Sequence, residues 1–194
     1  DRKSKQKIEN LKLEKNELSF YSSSVWEHEL IHLLDHKNIL LASIYMSSNS
    51  PYENFKYYLL KYREEGIADL YYELHGLSKI NNLDEAISEF VNIVKEKKTT
   101  IDFSTATTDK IKDVLFEGHQ FYRLGPWIIL DILKEFEGNW NEELINYCIN
   151  KIQNKEPVEI EKILEVIKIA LRMDPRSFLF HIEKYFEKGF IEMI

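Results

Sequence analysis

Apolar residues recur at spacings of three and four along most of the chain, but one stretch near the start departs from that rhythm. In NLKLEKNELSFY, Leu11 and Leu13 alternate with polar neighbours, and Leu18 and Phe20 do the same beyond Lys15-Asn16. A period of two is the strand signature, so the leader predicts a small hairpin or two short strands. From Ser24 onward the period is helical. Ser24-Val-Trp-Glu27 has the form of a capping box and opens a helix to about His36. A second apolar segment covers 39–46, and the polar stretch SSNSPYEN interrupts it. A long helix is expected from near Tyr52 to Gly76, where a residue without Cβ suits a helix stop. Further helices are expected at 83–97, 108–118, 121–136, 141–153, 157–173 and 176–188. Gly118, Gly125-Pro126, Gly138, Pro157 and Asp174-Pro175 punctuate them.

The pattern predicts a mainly α protein with a small N-terminal β element and a helical C-terminal lobe. Residues 1–78 form a first unit and 79–194 a helical lobe that completes a cleft. Trp26, Trp127 and Trp140 fall at apolar helical positions and are expected in the core. A chain of 194 residues can bury such a core within one domain or two lobes.

Charge and cysteine usage narrow the function. A net charge of −7 disfavours general nucleic-acid binding, which needs a basic face against phosphates. Cys148 is the single cysteine, which excludes an internal disulfide and a thiolate zinc cluster, and reads as an inert, half-buried thiol. NILLASIYM and PWIILDIL are far shorter than the roughly 18 apolar residues of a membrane span. The chain opens at Asp1 rather than Met, which reads as a truncated or processed start, and the cytoplasm is the favoured compartment.

The chemistry concentrates in EHELIHLLDH, where His28, Glu29 and His32 form H-E-x-x-H. Residues four apart share a helix face, so both imidazoles can aim a nitrogen at one ion. Glu29 is rotated around the axis and is free to take a proton from a metal-activated water. Two ligands do not complete a hydrolytic zinc site; a third is needed. The metzincin pattern is excluded, because Asp35 and Asn38 stand where that class has Gly and His. His36 extends the i, i+4 series, but three ligands along one straight helix cannot converge on a tetrahedral ion. It reads instead as a C-terminal helix residue, where an imidazolium suits the dipole.

The remaining candidate for the third ligand is the stretch YREEGIADLYYE on the long helix. His28-Glu29-x-x-His32 followed by Glu65-Gly-Ile-Ala-Asp69 resembles the gluzincins, the thermolysin-like and peptidase MA-like zinc peptidases, over residues 24–73. The resemblance implies a zincin-like helical domain holding Zn2+ through His28, His32 and Glu65. It makes Asp69 the hydrogen-bond partner of a ligand histidine, and Gly66 the point of close approach of the two helices. Glu64, turned by about 100°, is the alternative ligand. Peptide hydrolysis also needs an oxyanion donor, usually a Tyr or His from the second lobe. EGHQFYRLGPW places His119 and Tyr122 at i, i+3, and its Tyr-x-x-Gly is similar to a segment of several peptidase MA-like proteins. His75 reads as a helix-end residue and His181 as a core or surface one.

The expected function is a zinc-dependent metallopeptidase acting on a peptide or protein substrate, with Glu29 as general base and Tyr122 or His119 as donor. The alternative is a zinc-binding, gluzincin-like regulatory or interaction protein whose peptidase activity is lost or restrained.

Overall fold

The computed structural model describes residues 25–77, 80, 82–118, 120–187 and 190. The alternating leader and the cap at Ser24 lie outside these residues. Among the described residues every regular element is helical, so the chain is mainly α. The helices are α1 (residues 25–34), α2 (His36–Ser47), α3 (Pro51–Ala68), α4 (Leu70–Tyr72), α5 (Leu83–Thr100) and α6 (Thr108–Leu115). They continue as α7 (Gln120–Leu133), α8 (Glu142–Gln153), α9 (Ile160–Arg172) and α10 (Pro175–Ile182). Local chemistry sets several starts. Asn82, Thr107 and Asp174 each accept a backbone N–H from the first turn of α5, α6 and α10. Pro51 and Pro175 occupy first helical positions, where the missing N–H costs nothing.

The architecture is built around α3. Phe55, Tyr58, Leu59, Leu60, Tyr62 and Ile67 are buried, on more than one side of the helix, as expected of a central helix. It packs against α7 most closely at a pair of glycines. A Cβ on Gly66 would lie 2.5 Å from the Gly125 carbonyl carbon, and one on Gly125 would lie 2.7 Å from Gly66 Cα. Both contacts are with backbone, so neither side can yield. One hydrophobic cluster runs from Ile31 to Phe190, so residues of both expected units share a core.

Two expected helices are broken, both beside the chemistry. The helix expected over 24–36 ends at residue 34, and Asp35 forms a corner. His36 therefore begins α2 instead of ending α1, so the expected match between its charge and a helix C-terminus fails. The long helix expected to Gly76 stops at Ala68, turns at Asp69, and resumes as α4 and a wider turn, Glu73–Leu77. Gly76 closes that turn at φ 77, a conformation that favours glycine.

The tryptophans divide. Trp127 is fully buried and its indole N–H donates to Glu73. Trp26 and Trp140 are 77% and 91% exposed, contrary to the expectation of core positions. On α1 the stripe 28–31–32–35 turns inward, and Trp26, two residues before His28, faces the other way with Leu30, Leu33 and Leu34. Trp140 lies in the short turn Asn139–Asn141 between α7 and α8.

The corner at Asp35 is tied to α3. Arg63 on α3 donates to both Asp35 oxygens, at 2.5 and 2.9 Å, and its Nε donates to the Met173 carbonyl at 2.7 Å. Asn38 Nδ2 donates to Asp35 at 2.8 Å and to the Leu171 carbonyl at 3.2 Å. The two charged side chains are 2% and 3% exposed. A bidentate pair with this geometry is the arrangement in which a buried charge is tolerated.

Candidate metal centre

One turn before Asp35 on α1, and two residues beyond Arg63 on α3, the same two helices carry a second polar cluster. Among the described residues, His28, His32 and Glu65 are the group of His, Cys, Asp or Glu side chains able to hold a metal ion. The i, i+4 spacing puts both imidazoles on the inner face of α1, with ring centroids 4.5 Å apart and planes at 84°. Their Nε2 atoms are 2.9 Å apart and lie 3.5 and 3.4 Å from Glu65 Oε2. Bonds of about 2.0–2.1 Å around a tetrahedral ion separate neighbouring ligand atoms by roughly 3.3–3.4 Å. Two of the three separations match that spacing, and the imidazole pair is tighter.

The bonding around this triangle holds its ligand atoms inward. His28 Nδ1–H donates to Asp69 Oδ1 at 2.7 Å, which leaves the Nε2 lone pair toward the cluster. The Asp69 backbone N–H keeps the helical bond to the Glu65 carbonyl at 2.9 Å, so Asp69 stays one turn beyond Glu65 on the same face. On the far side of Glu65, Lys61 Nζ donates to Oε1 at 2.6 Å and stands 3.1 Å from Glu64 Oε1. Glu65 Oε2 is buried and has no hydrogen-bond partner. Glu64 Oε2 is likewise buried without a hydrogen-bond partner, so what distinguishes Glu65 Oε2 is its convergence with two imidazole nitrogens.

The electrostatics follow from these contacts. Asp69, then Glu65, outweigh burial and push His28 up to about 9. Burial would raise Glu65, but the two imidazoles and Lys61 outweigh it and hold the carboxyl well below the usual range. Burial would lower Lys61, and Glu64 and Glu65 overcome it, so the ammonium keeps its proton. His28 Nε2 and His32 Nε2 stand at hydrogen-bond distance, 2.9 Å, inside the cluster.

The structure brings together His28, His32, Glu65 and Asp69 from widely separated stretches. Glu29 is exposed beside His28 on α1. The Tyr122 ring on α7 lies 6.1 Å from the His28 ring, 43% exposed, with its hydroxyl held above its ordinary value by burial and then by Glu65. His119 lies outside the described residues. Glu64 is bound to Lys61 and does not join the ligand group. Gly66 does not adjoin α1; its close approach is to Gly125 on α7. His75 bonds to the Tyr71 carbonyl through Nδ1 at 3.0 Å, and Cys148 is buried, its thiol pushed up to about 11 by desolvation.

Sequence reasoning missed Lys61, whose only signal was its place four residues before Glu65 on the same stripe. That lysine also lines a pocket of about 530 Å³ with Met46, Tyr57, Lys112 and Phe116. None of the three candidate ligands lines it. Comparison of the chain with protein-family models, with curated proteins and with solved structures finds no match.

Proposed function

We propose that the protein is a zinc-dependent metallopeptidase of gluzincin type, with His28, His32 and Glu65 as ligands and Glu29 as general base. The observation that carries this reading is the buried, partnerless Glu65 Oε2 facing two imidazole nitrogens. Its surroundings agree with that use. Asp69 fixes the His28 tautomer, and the donor set is the two-His, one-carboxylate set of hydrolytic zinc. Bound there, zinc would polarise a carbonyl and make water a nucleophile near neutral pH. Glu29, exposed next to His28, would be the base for a proton of that water and the acid for the leaving amine. Tyr122 is the side chain beside His28 with a hydroxyl to offer the developing oxyanion.

The test begins with elemental analysis. The purified protein should hold one zinc per chain, and His28→Ala should hold none. Cleavage of an unfolded protein mixture is then compared at equal zinc loading. Glu29→Gln should retain zinc and lose about 10²–10⁴ in rate, and Tyr122→Phe should lose roughly 10²–10³. Zinc retained near one per chain in His28→Ala sinks the ligand assignment. A wild type that binds zinc and cuts nothing, indistinguishable from both variants, replaces the peptidase with a zinc-binding regulatory protein.

A further inference from the structure

We propose that Lys61 is the positioning residue that makes Glu65 a single-oxygen ligand and so keeps one coordination position open. The inference rests on the metal-site reading above and adds to it a residue outside the ligand set. A carboxylate can bind an ion through one oxygen or chelate it through two. A zinc ion with three protein ligands has one position left for water or substrate only while each ligand takes one position. A chelating Glu65 would crowd that position, holding its second oxygen on the ion beside the water and raising the coordination from four to five.

The two oxygens of Glu65 are already differentiated. Oε1 accepts from Lys61 Nζ at 2.6 Å, while Oε2 faces the imidazoles with no donor of its own. Lys61 is itself held from the other side by Glu64 Oε1 at 3.1 Å, so the ammonium sits between two carboxylates and cannot swing away freely. An exposed i, i+4 ion pair would orient little. This one is enclosed, its side chains 19% and 7% exposed, where a charged hydrogen bond is stronger and rotation of the carboxyl group is opposed. Lys56–Glu53, one turn earlier on α3, is the looser counterpart at 3.2 Å.

The test reads coordination, not turnover. Cobalt(II) replaces the native ion in wild type, Lys61→Arg, Lys61→Met and the control Lys56→Met. Four-coordinate cobalt absorbs strongly in the visible, and five-coordinate cobalt absorbs several-fold more weakly. Wild type, Lys61→Arg and Lys56→Met should show the strong spectrum, and Lys61→Met the weak one at unchanged stoichiometry. A Lys61→Met spectrum identical to wild type reduces Lys61 to an ordinary ion pair and overturns the proposal. A wild type that binds no cobalt or zinc overturns the metal-site reading, and the inference falls with it. Should Lys61→Met fail to fold, a zinc-soaked crystal of the wild type decides. One Glu65 oxygen within about 2.2 Å of the ion and the other still on Lys61 supports the proposal; both oxygens on the ion overturn it.

Discussion

Helices α1 and α3 are joined twice by polar groups within one turn of each other, and the two joints are built differently. At Asp35–Arg63 both carboxylate oxygens and three guanidinium nitrogens are engaged, and the charges are shut away from solvent. At His28–His32–Glu65 the residues are partly open, two nitrogens and an oxygen converge, and that oxygen has no partner. The first joint is complete as it stands and the second is not. Burial and charge are common to both, so neither marks a site of chemistry. The distinguishing feature is a convergent set of lone pairs that the protein itself leaves unsatisfied. The complete joint also ties the chain to α3 just beyond the ligands.

The sharpest way to break this contrast is to cut each joint separately. Arg63→Met strands a buried carboxylate and should destabilise the fold by about 3–5 kcal/mol. Urea denaturation of the metal-free protein measures this, with a lower midpoint at unchanged slope. His32→Ala should leave that midpoint nearly unmoved while abolishing zinc binding. If His32→Ala unfolds as early as Arg63→Met, the cluster is structural and the distinction between the joints disappears.

The same contrast explains what was legible in the sequence. Helix positions came from periodicity and caps, which act locally, so α5 to α10 fall close to where the pattern puts them. His28 and His32 were legible because spacing on a helix fixes which side chains share a face, whereas Glu65 and Asp69 were singled out only through the resemblance of Glu65-Gly-Ile-Ala-Asp69 to a known motif. The corner at Asp35 was not, because it depends on Arg63, 28 residues away, and on the Met173 carbonyl beyond that. A charged residue reads locally as a solvated one, and only the assembled core shows otherwise. Trp26 misled for the converse reason. Apolar spacing identifies a helix, but the inward face of α1 is taken by His28, Ile31, His32 and Asp35, which leaves the tryptophan outside. Gly66 was singled out correctly as a contact point but assigned to the wrong helix, since its partner glycine lies on α7.

A smaller effect sharpens the difference between ligand and support. Asp69 touches His28 through a 2.7 Å hydrogen bond and does not belong to the convergent group. Asp69→Ala should therefore weaken zinc affinity by about 10- to 100-fold without abolishing binding, the usual result when the partner of a ligand histidine is removed. Competition against a chelator of known affinity provides the measurement. An affinity equal to wild type would make Asp69 a surface charge, and complete loss would make it part of the ligand set.

The smallest effect is in proton competition, which only the incomplete joint can show. Without metal, His28 is pushed from an ordinary value of 6.5 up to about 9, by Asp69 first and then Glu65. Nδ1–H already faces Asp69, so the additional proton resides on Nε2, toward His32 and Glu65. A raised value means that the folded state holds this proton more tightly than the unfolded chain does. Its contribution to stability is complete below about 6.5 and fades as pH rises through about 9. Metal needs the same lone pair, so its apparent affinity should climb over that window by up to about tenfold per pH unit for one displaced proton. Thermal melts of metal-free protein from pH 6 to 9.5 should accordingly fall, while melts in a zinc-buffered solution should fall less or rise. Parallel curves with and without zinc would mean that metal and proton do not compete at Nε2, and that His28 owes its position to Asp69 alone.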